Sequence, residues 1–153
     1  MTGNAMNNLS YGLFVLTAGK EDFDNGCIIN TVQQVTVEPN CITIAVNKAN
    51  LTHDMIKETN KFNVSVISEK ADFELFKHFG FQSGRDVNKF EDVAFEVKGY
   101  MPVIKDSCAF IACEVIDTME TNTHTVFLGK VTDADVLKKD DPMTYAYYHN
   151  VIK

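Results

Sequence analysis

Three short polar segments of this 153-residue chain carry residue types suited to holding a ligand. The first is Asn30-Thr31-Val32-Gln33-Gln34, set in the middle of an apolar stretch. Polar groups at a strand centre need partners, so they face either solvent or a bound molecule. The second, Asn47-Lys48-Ala49-Asn50-Leu51-Thr52-His53, runs straight into a helical pattern. A helix start offers unpaired N–H groups and the positive end of the helix dipole, which together favour an anion. Lys48, Asn50, Thr52 and His53 add side-chain donors, so a phosphate cradle and an ordinary capped helix with a solvated lysine both fit. The third, Ser83-Gly84-Arg85-Asp86-Val87-Asn88-Lys89-Phe90, is a loop whose cations suit an anion and whose composition equally suits a plain surface loop.

Other chemistries lack their residues. No GxGxxG follows a strand, and GxxxxGK[ST], HExxH and GxSxG do not occur. His53, His78, His124 and His149 show no helical ligand spacing with carboxylates, so no metal site is expected. Cys27, Cys41, Cys108 and Cys113 form no CxxC pair and read as buried, reduced thiols. If the chain is an enzyme, its chemistry belongs to a bound cofactor. Fourteen Lys and Arg against 21 acids give a net charge of −7 with no basic block, which argues against nucleic acid as a partner. No apolar run approaches the ~20 residues that cross a bilayer, and MTGNAMNNLS lacks a signal-peptide layout. A cytoplasmic protein is the expectation.

The elements that must position these segments are mostly strands. YGLFVLT at 11–17 is the first; Asn25-Gly26 is a tight-turn signal, with a second strand across 27–37. Glu38-Pro39-Asn40 breaks that run before a third strand at 41–47. An amphipathic helix is expected over 51–59, capped by Asn50 or Thr52, then a strand at 62–68. A second helix over about 71–79 begins after Ser68 and stops at Gly80. A weak strand at 95–100, limited by Pro102, precedes long strands at 109–118 and 124–137 joined by a turn at 119–123. Six or seven strands with two inserted short helices predict one mainly β domain, a barrel rather than a doubly wound parallel sheet.

In this order YGLFVLT, NGCIINTVQQVT at 25–36, EPNCITIAVNKANLTHDMIKE at 38–58, FNVSVIS, FGFQSGRDVNKF at 79–90, HTVFLGKV at 124–131 and the tail TYAYYHNVIK resemble the flavin reductase-like family, the FMN-binding split barrels. Within it they look most like flavoredoxins and the flavin domain of high-molecular-weight rubredoxins. The resemblance spans nearly the whole chain and implies a single split β-barrel domain over 1–153 with a few short helices, one FMN per subunit and a homodimer. It implies that Asn30, Thr31, Val32 and Gln33 lie along the isoalloxazine ring. Asn47, Lys48, Asn50, Thr52 and His53 would take the ribityl chain and phosphate, and the loop of Ser83, Gly84 and Lys89 would close over the phosphate. His124 matches a histidine associated with nicotinamide binding or protonation, although a histidine opening a strand after a turn is often merely solvated. The implied function is an NAD(P)H:flavin oxidoreductase passing electrons through bound flavin to free flavin, oxygen or a redox partner. The alternatives are a flavodoxin-like electron carrier without NAD(P)H turnover and a non-catalytic cofactor-binding module. With no CxxC pair before Lys153, no iron site is expected, and the electron acceptor would be a separate partner.

Overall fold

The first strand, β1 (Phe14–Lys20), shows little polar alternation because both its faces are covered. Leu16 and Ala18 enter one hydrophobic core, while Val15 and the preceding Leu13 enter a second. The computed structural model describes residues 3–20, 23–91, 93–98 and 101–153. Among these, β1 is followed by β2 (Phe23–Ile29), β3 (Val32–Thr36), β4 (Cys41–Asn47), α1 (Leu51–Thr59), β5 (Lys61–Val66), α2 (Phe73–Gly80), β6 (Phe95–Lys98), β7 (Met101–Ile104), β8 (Ala109–Glu120) and β9 (His124–Val136). A helical tail, Tyr145–Tyr147 and Tyr148–Ile152, ends the chain.

Seven strands form one antiparallel sheet in the order β2-β1-β5-β8-β9-β4-β3, and β6 and β7 form a separate two-stranded antiparallel sheet. The two edges of the large sheet, β2 and β3, are consecutive in sequence and separated by Asn30-Thr31. Side chains from β1, β2, β4, β5, β8 and β9 meet Met55 and Ile56 of α1 in one core, so the sheet curls around its contents and stays open between β2 and β3. The second core lies under α2 and the tail, where Phe76, Phe79, Phe90, Met143 and Tyr148 pack on Leu13 and Val15. Gly129 is required where β9 crosses Phe62: a Cβ there would stand 2.7 Å from the Phe62 ring and 2.9 Å from Cys113 Cβ. Among the described residues, no helix is long and apolar enough to cross a membrane.

Several expectations are corrected. Asn25-Gly26 is no turn: both lie within β2, where Gly26 pairs with Thr17 and Asn25 with Ala18, and residues 21–22 of the expected turn region lie outside the described residues. The single strand expected over 27–37 is two, broken at Asn30-Thr31. The second helix starts at Phe73 because Asp72, not Ser68, accepts from the Glu74 amide at 3.1 Å and caps it. Ser68 instead donates to Asp140 at 2.9 Å. Pro102 does not limit a strand but sits within β7, one strand of a two-stranded sheet, a position where a missing N–H is tolerated. The weak strand expected at 95–100 is β6, and residues 99–100 lie outside the described residues.

Candidate functional site

The break between β2 and β3 lies beside β4, where the Thr31 carbonyl accepts from the Ala45 amide at 3.4 Å. At the far end of β4, Asn47 pairs with His124, the first residue of β9. These pairings bring Asn30 and Thr31, Asn47 and Asn50, and His124 to the rim of one cleft of about 250 Å³. Its wall is apolar, built from Leu13, Ile28, Ile29 and Val46, and the half-exposed Tyr145 of the tail also lines it. Thr31 donates its hydroxyl to Asn30 Oδ1 at 2.8 Å, and the Thr123 hydroxyl lies 2.8 Å from His124 Nδ1. An apolar wall with a polar rim suits a flat aromatic ring system with polar edges, which is the chemistry of an isoalloxazine.

The other expected site residues are placed differently. Val32 packs against the main core, and Gln33 lies exposed on β3 opposite Thr43. Thr52 is fully buried and accepts from the Asn25 side-chain amide at 2.8 Å, so it faces β2 rather than the cleft. Ser83 Oγ accepts from the Arg85 amide at 3.1 Å within its own loop. Gly84 packs on Asn25, where a Cβ would stand 2.1 Å from Asn25 Oδ1. Lys89 is buried and donates to the Gly26 carbonyl at 2.8 Å and the Phe79 carbonyl at 2.9 Å, fastening the loop to β2 and to the end of α2. Burial lowers the pKa of its ammonium, and burial likewise pushes the neighbouring Cys27 thiol up to about 11, so that thiol stays protonated.

The helix start at α1 satisfies most of its own donors. Asn50 caps it by accepting from the Thr52 amide at 3.0 Å, and its carbonyl accepts from the His53 amide at 3.1 Å. Asn47 accepts from the Ala49 amide through Oδ1 and from the Asn50 amide through its carbonyl, and the Lys48 amide donates to the Thr123 carbonyl at 2.9 Å. An anion at this turn therefore depends on side chains more than on the free N–H groups the sequence suggested.

Those side chains form a chain of charges. Lys48 Nζ donates to the Thr121 carbonyl at 2.6 Å and lies 3.3 Å from Glu120. Glu120 also pairs with Lys57 at 2.6 Å and accepts from the Thr125 hydroxyl at 2.9 Å. Lys57 first, then Thr125 and Lys48, hold its carboxyl down at about 2. The Thr125 hydroxyl also meets His53 Nε2 at 2.7 Å, and His53 Nδ1 meets Asp54 at 2.9 Å. The buried His53 ring packs against Phe127. Asp54 pairs with Arg85 at 2.6 Å, and the bonds from His53 and Arg85 hold its carboxyl below the usual carboxylate range. The loop at 83–89, the start of α1 and the β8–β9 turn are thus joined by one network.

Asn25, Glu120, Thr125 and Tyr145 are the residues the sequence reading passed over. A tight-turn dipeptide hid Asn25. Glu120 and Thr125 flank the β8–β9 turn, and their distance in sequence from Lys48 and His53 left no local signal.

A model of the flavin reductase like domain matches residues 6–153 of the chain. The high molecular weight rubredoxin of Moorella thermoacetica is 40% identical over an alignment covering 99% of this chain and 67% of that protein. The ferric-chelate reductase (NAD(P)H) of Archaeoglobus fulgidus is 36% identical, over 97% of this chain and 89% of that protein. Among solved structures, the flavin reductase PheA2 in its native state superposes with a TM-score of 0.80 at 29% identity, covering 92% of this chain and 88% of that one.

Proposed function

The chain belongs to the flavin reductase-like family, and on that premise we propose that it is an NAD(P)H:flavin oxidoreductase that holds FMN in the cleft between Asn30-Thr31, Asn47-Asn50 and His124. The observation that carries this reading is the convergence of Asn30-Thr31, Asn47-Asn50 and His124 on one apolar wall. A flavin held there would supply the redox chemistry, hydride acceptance and electron transfer. The chain's own residues bind and orient. Ile28, Ile29 and Val46 offer the ring an apolar face, and Asn30 and Thr31 offer hydrogen bonds along its edge. His124, half-buried on the cleft rim, would bind a nicotinamide or hold a proton there. Lys48 and Arg85, each paired with a carboxylate outside the cleft lining, are the cations we assign to the phosphate.

At about 250 Å³ the cleft is smaller than the roughly 300–1,000 Å³ usual for a ligand pocket, so one subunit encloses only part of a flavin. Exposed apolar side chains on β3 and its following turn (Val35, Val37) and on β8 (Ile116, Met119) support a homodimer that completes it. All four cysteines are unpaired and buried, which supports a reducing, cytoplasmic setting. Free flavin, oxygen or a redox protein would accept the electrons. Anaerobic stopped-flow mixing of the FMN-loaded protein with NADH or NADPH tests the reading: the flavin absorbance should bleach within a catalytic turnover with at least one of them, and no bleaching with either overturns it.

A further inference from the structure

Lys48 sits between Asn47 and Asn50, two residues of the cleft rim, yet its ammonium points to the β8–β9 turn. There it meets the Thr121 carbonyl and the Glu120 carboxylate. Lys48 directly follows Asn47 of the cleft, and a carboxylate of the same chain already faces it. Glu120 does not depend on Lys48 for its position. Lys57 holds one carboxylate oxygen at 2.6 Å, and the Thr125 hydroxyl donates to the other at 2.9 Å. Thr125 is itself tied to the buried His53. Lys57 on Oε1 and Thr125 on Oε2, the oxygen that Lys48 also faces, hold the carboxylate without Lys48, so it can lose that one contact. Two lysines around one carboxylate leave the cluster with a single positive charge.

Resting on the flavin reading above, we infer that Glu120 is a specificity-determining residue of this site: its carboxylate stands against Lys48 as an internal anion, and the phosphate of a ligand gains Lys48 only by displacing it. The contact is partly solvated, with both side chains between one-third and one-half exposed, so the opposition it offers is modest rather than prohibitive. It acts on one feature of the ligand. A flavin carrying a phosphate meets the competition, whereas riboflavin, which has the same ring and ribityl chain without the phosphate, does not. Glu120 therefore sets the ratio of affinities for the two.

Glu120→Gln keeps an acceptor for Thr125 and Lys57 and removes the charge, which limits the disturbance to the turn. Dissociation constants for FMN and riboflavin are read from flavin fluorescence in wild type, Glu120→Gln, Lys48→Met and the double variant. Glu120→Gln should bind FMN about two- to five-fold more tightly, leave riboflavin unchanged, and lose its effect in the Lys48→Met background. An unchanged or weakened FMN affinity, equal shifts for both flavins, or the same shift without Lys48 overturns the inference while leaving the flavin reading intact. A wild-type protein that binds neither flavin overturns both.

Discussion

The side-chain amide of Asn25 donates to the hydroxyl of Thr52 across 2.8 Å, with both residues fully buried. This bond joins β2, an edge of the large sheet, to the first turn of α1, and Gly84 of the 83–89 loop packs against the same amide. β2, the start of α1 and the 83–89 loop are thereby tied together by one side chain that does not line the cleft.

Thr52→Val keeps the shape and removes the acceptor, leaving a buried amide donor without a partner. The expected loss is about 1–3 kcal/mol in urea unfolding, with Thr52→Ser close to wild type. A Thr52→Val protein as stable as wild type would show that the bond contributes nothing.

Gly84→Ala places a methyl group 2.1 Å from Asn25 Oδ1, and Asn25 is too enclosed to step aside. The loop must shift. The expected outcome is a destabilisation of about 1–3 kcal/mol together with faster proteolytic cleavage within the loop and weaker FMN binding. Unchanged cleavage and affinity would place the loop outside the site.

The strands and α1 were legible because burial writes itself into the order of residues. CITIAVN is a short β-rich run and Asn50 stands where a helix cap belongs, whereas the alternation of FNVSVIS marks a strand but not its faces, since Asn63 and Ser65 are as buried as Phe62 and Val64. Side-chain direction was not legible. Lys89 and Thr52 look like ligand donors in sequence, yet they point inward because Gly26, Phe79 and Asn25 offer buried polar groups that need them. Asn25-Gly26 carries the composition of a turn, and pairing with β1 overrides that local preference. The partnership of Lys48 with Glu120 exists only because β4 and β9 pair with Asn47 opposite His124, a register no local pattern encodes.

The cysteines are expected to be inert in the folded protein. All four are buried, and burial pushes Cys27 up to about 11 and Cys113 up to about 12, so neither forms a thiolate at neutral pH. A thiol reagent such as DTNB should label none of them within minutes under native conditions and all four in denaturant. Rapid native labelling of Cys27 would show that the β2 edge opens.

The Glu120 carboxyl titrates near 2 in the folded chain against an ordinary value of 4.5. A group depressed in this way contributes stability that is present above 4.5 and is lost as pH falls towards 2. Wild type should exceed Glu120→Gln in Tm above pH 4.5, and the two should converge on acidification. A difference undiminished at pH 2 would contradict the ion pairs with Lys57 and Lys48.

The placement of the flavin is tested most directly by a crystal structure of the protein with FMN bound. The isoalloxazine ring is expected against Ile29 and Val46, its edge on Asn30-Thr31 and His124 at the rim, with the phosphate towards Lys48 or Arg85. A ring bound elsewhere, for example in the separate cavity of about 380 Å³ lined by Lys70, Ser107 and Lys138, would contradict it.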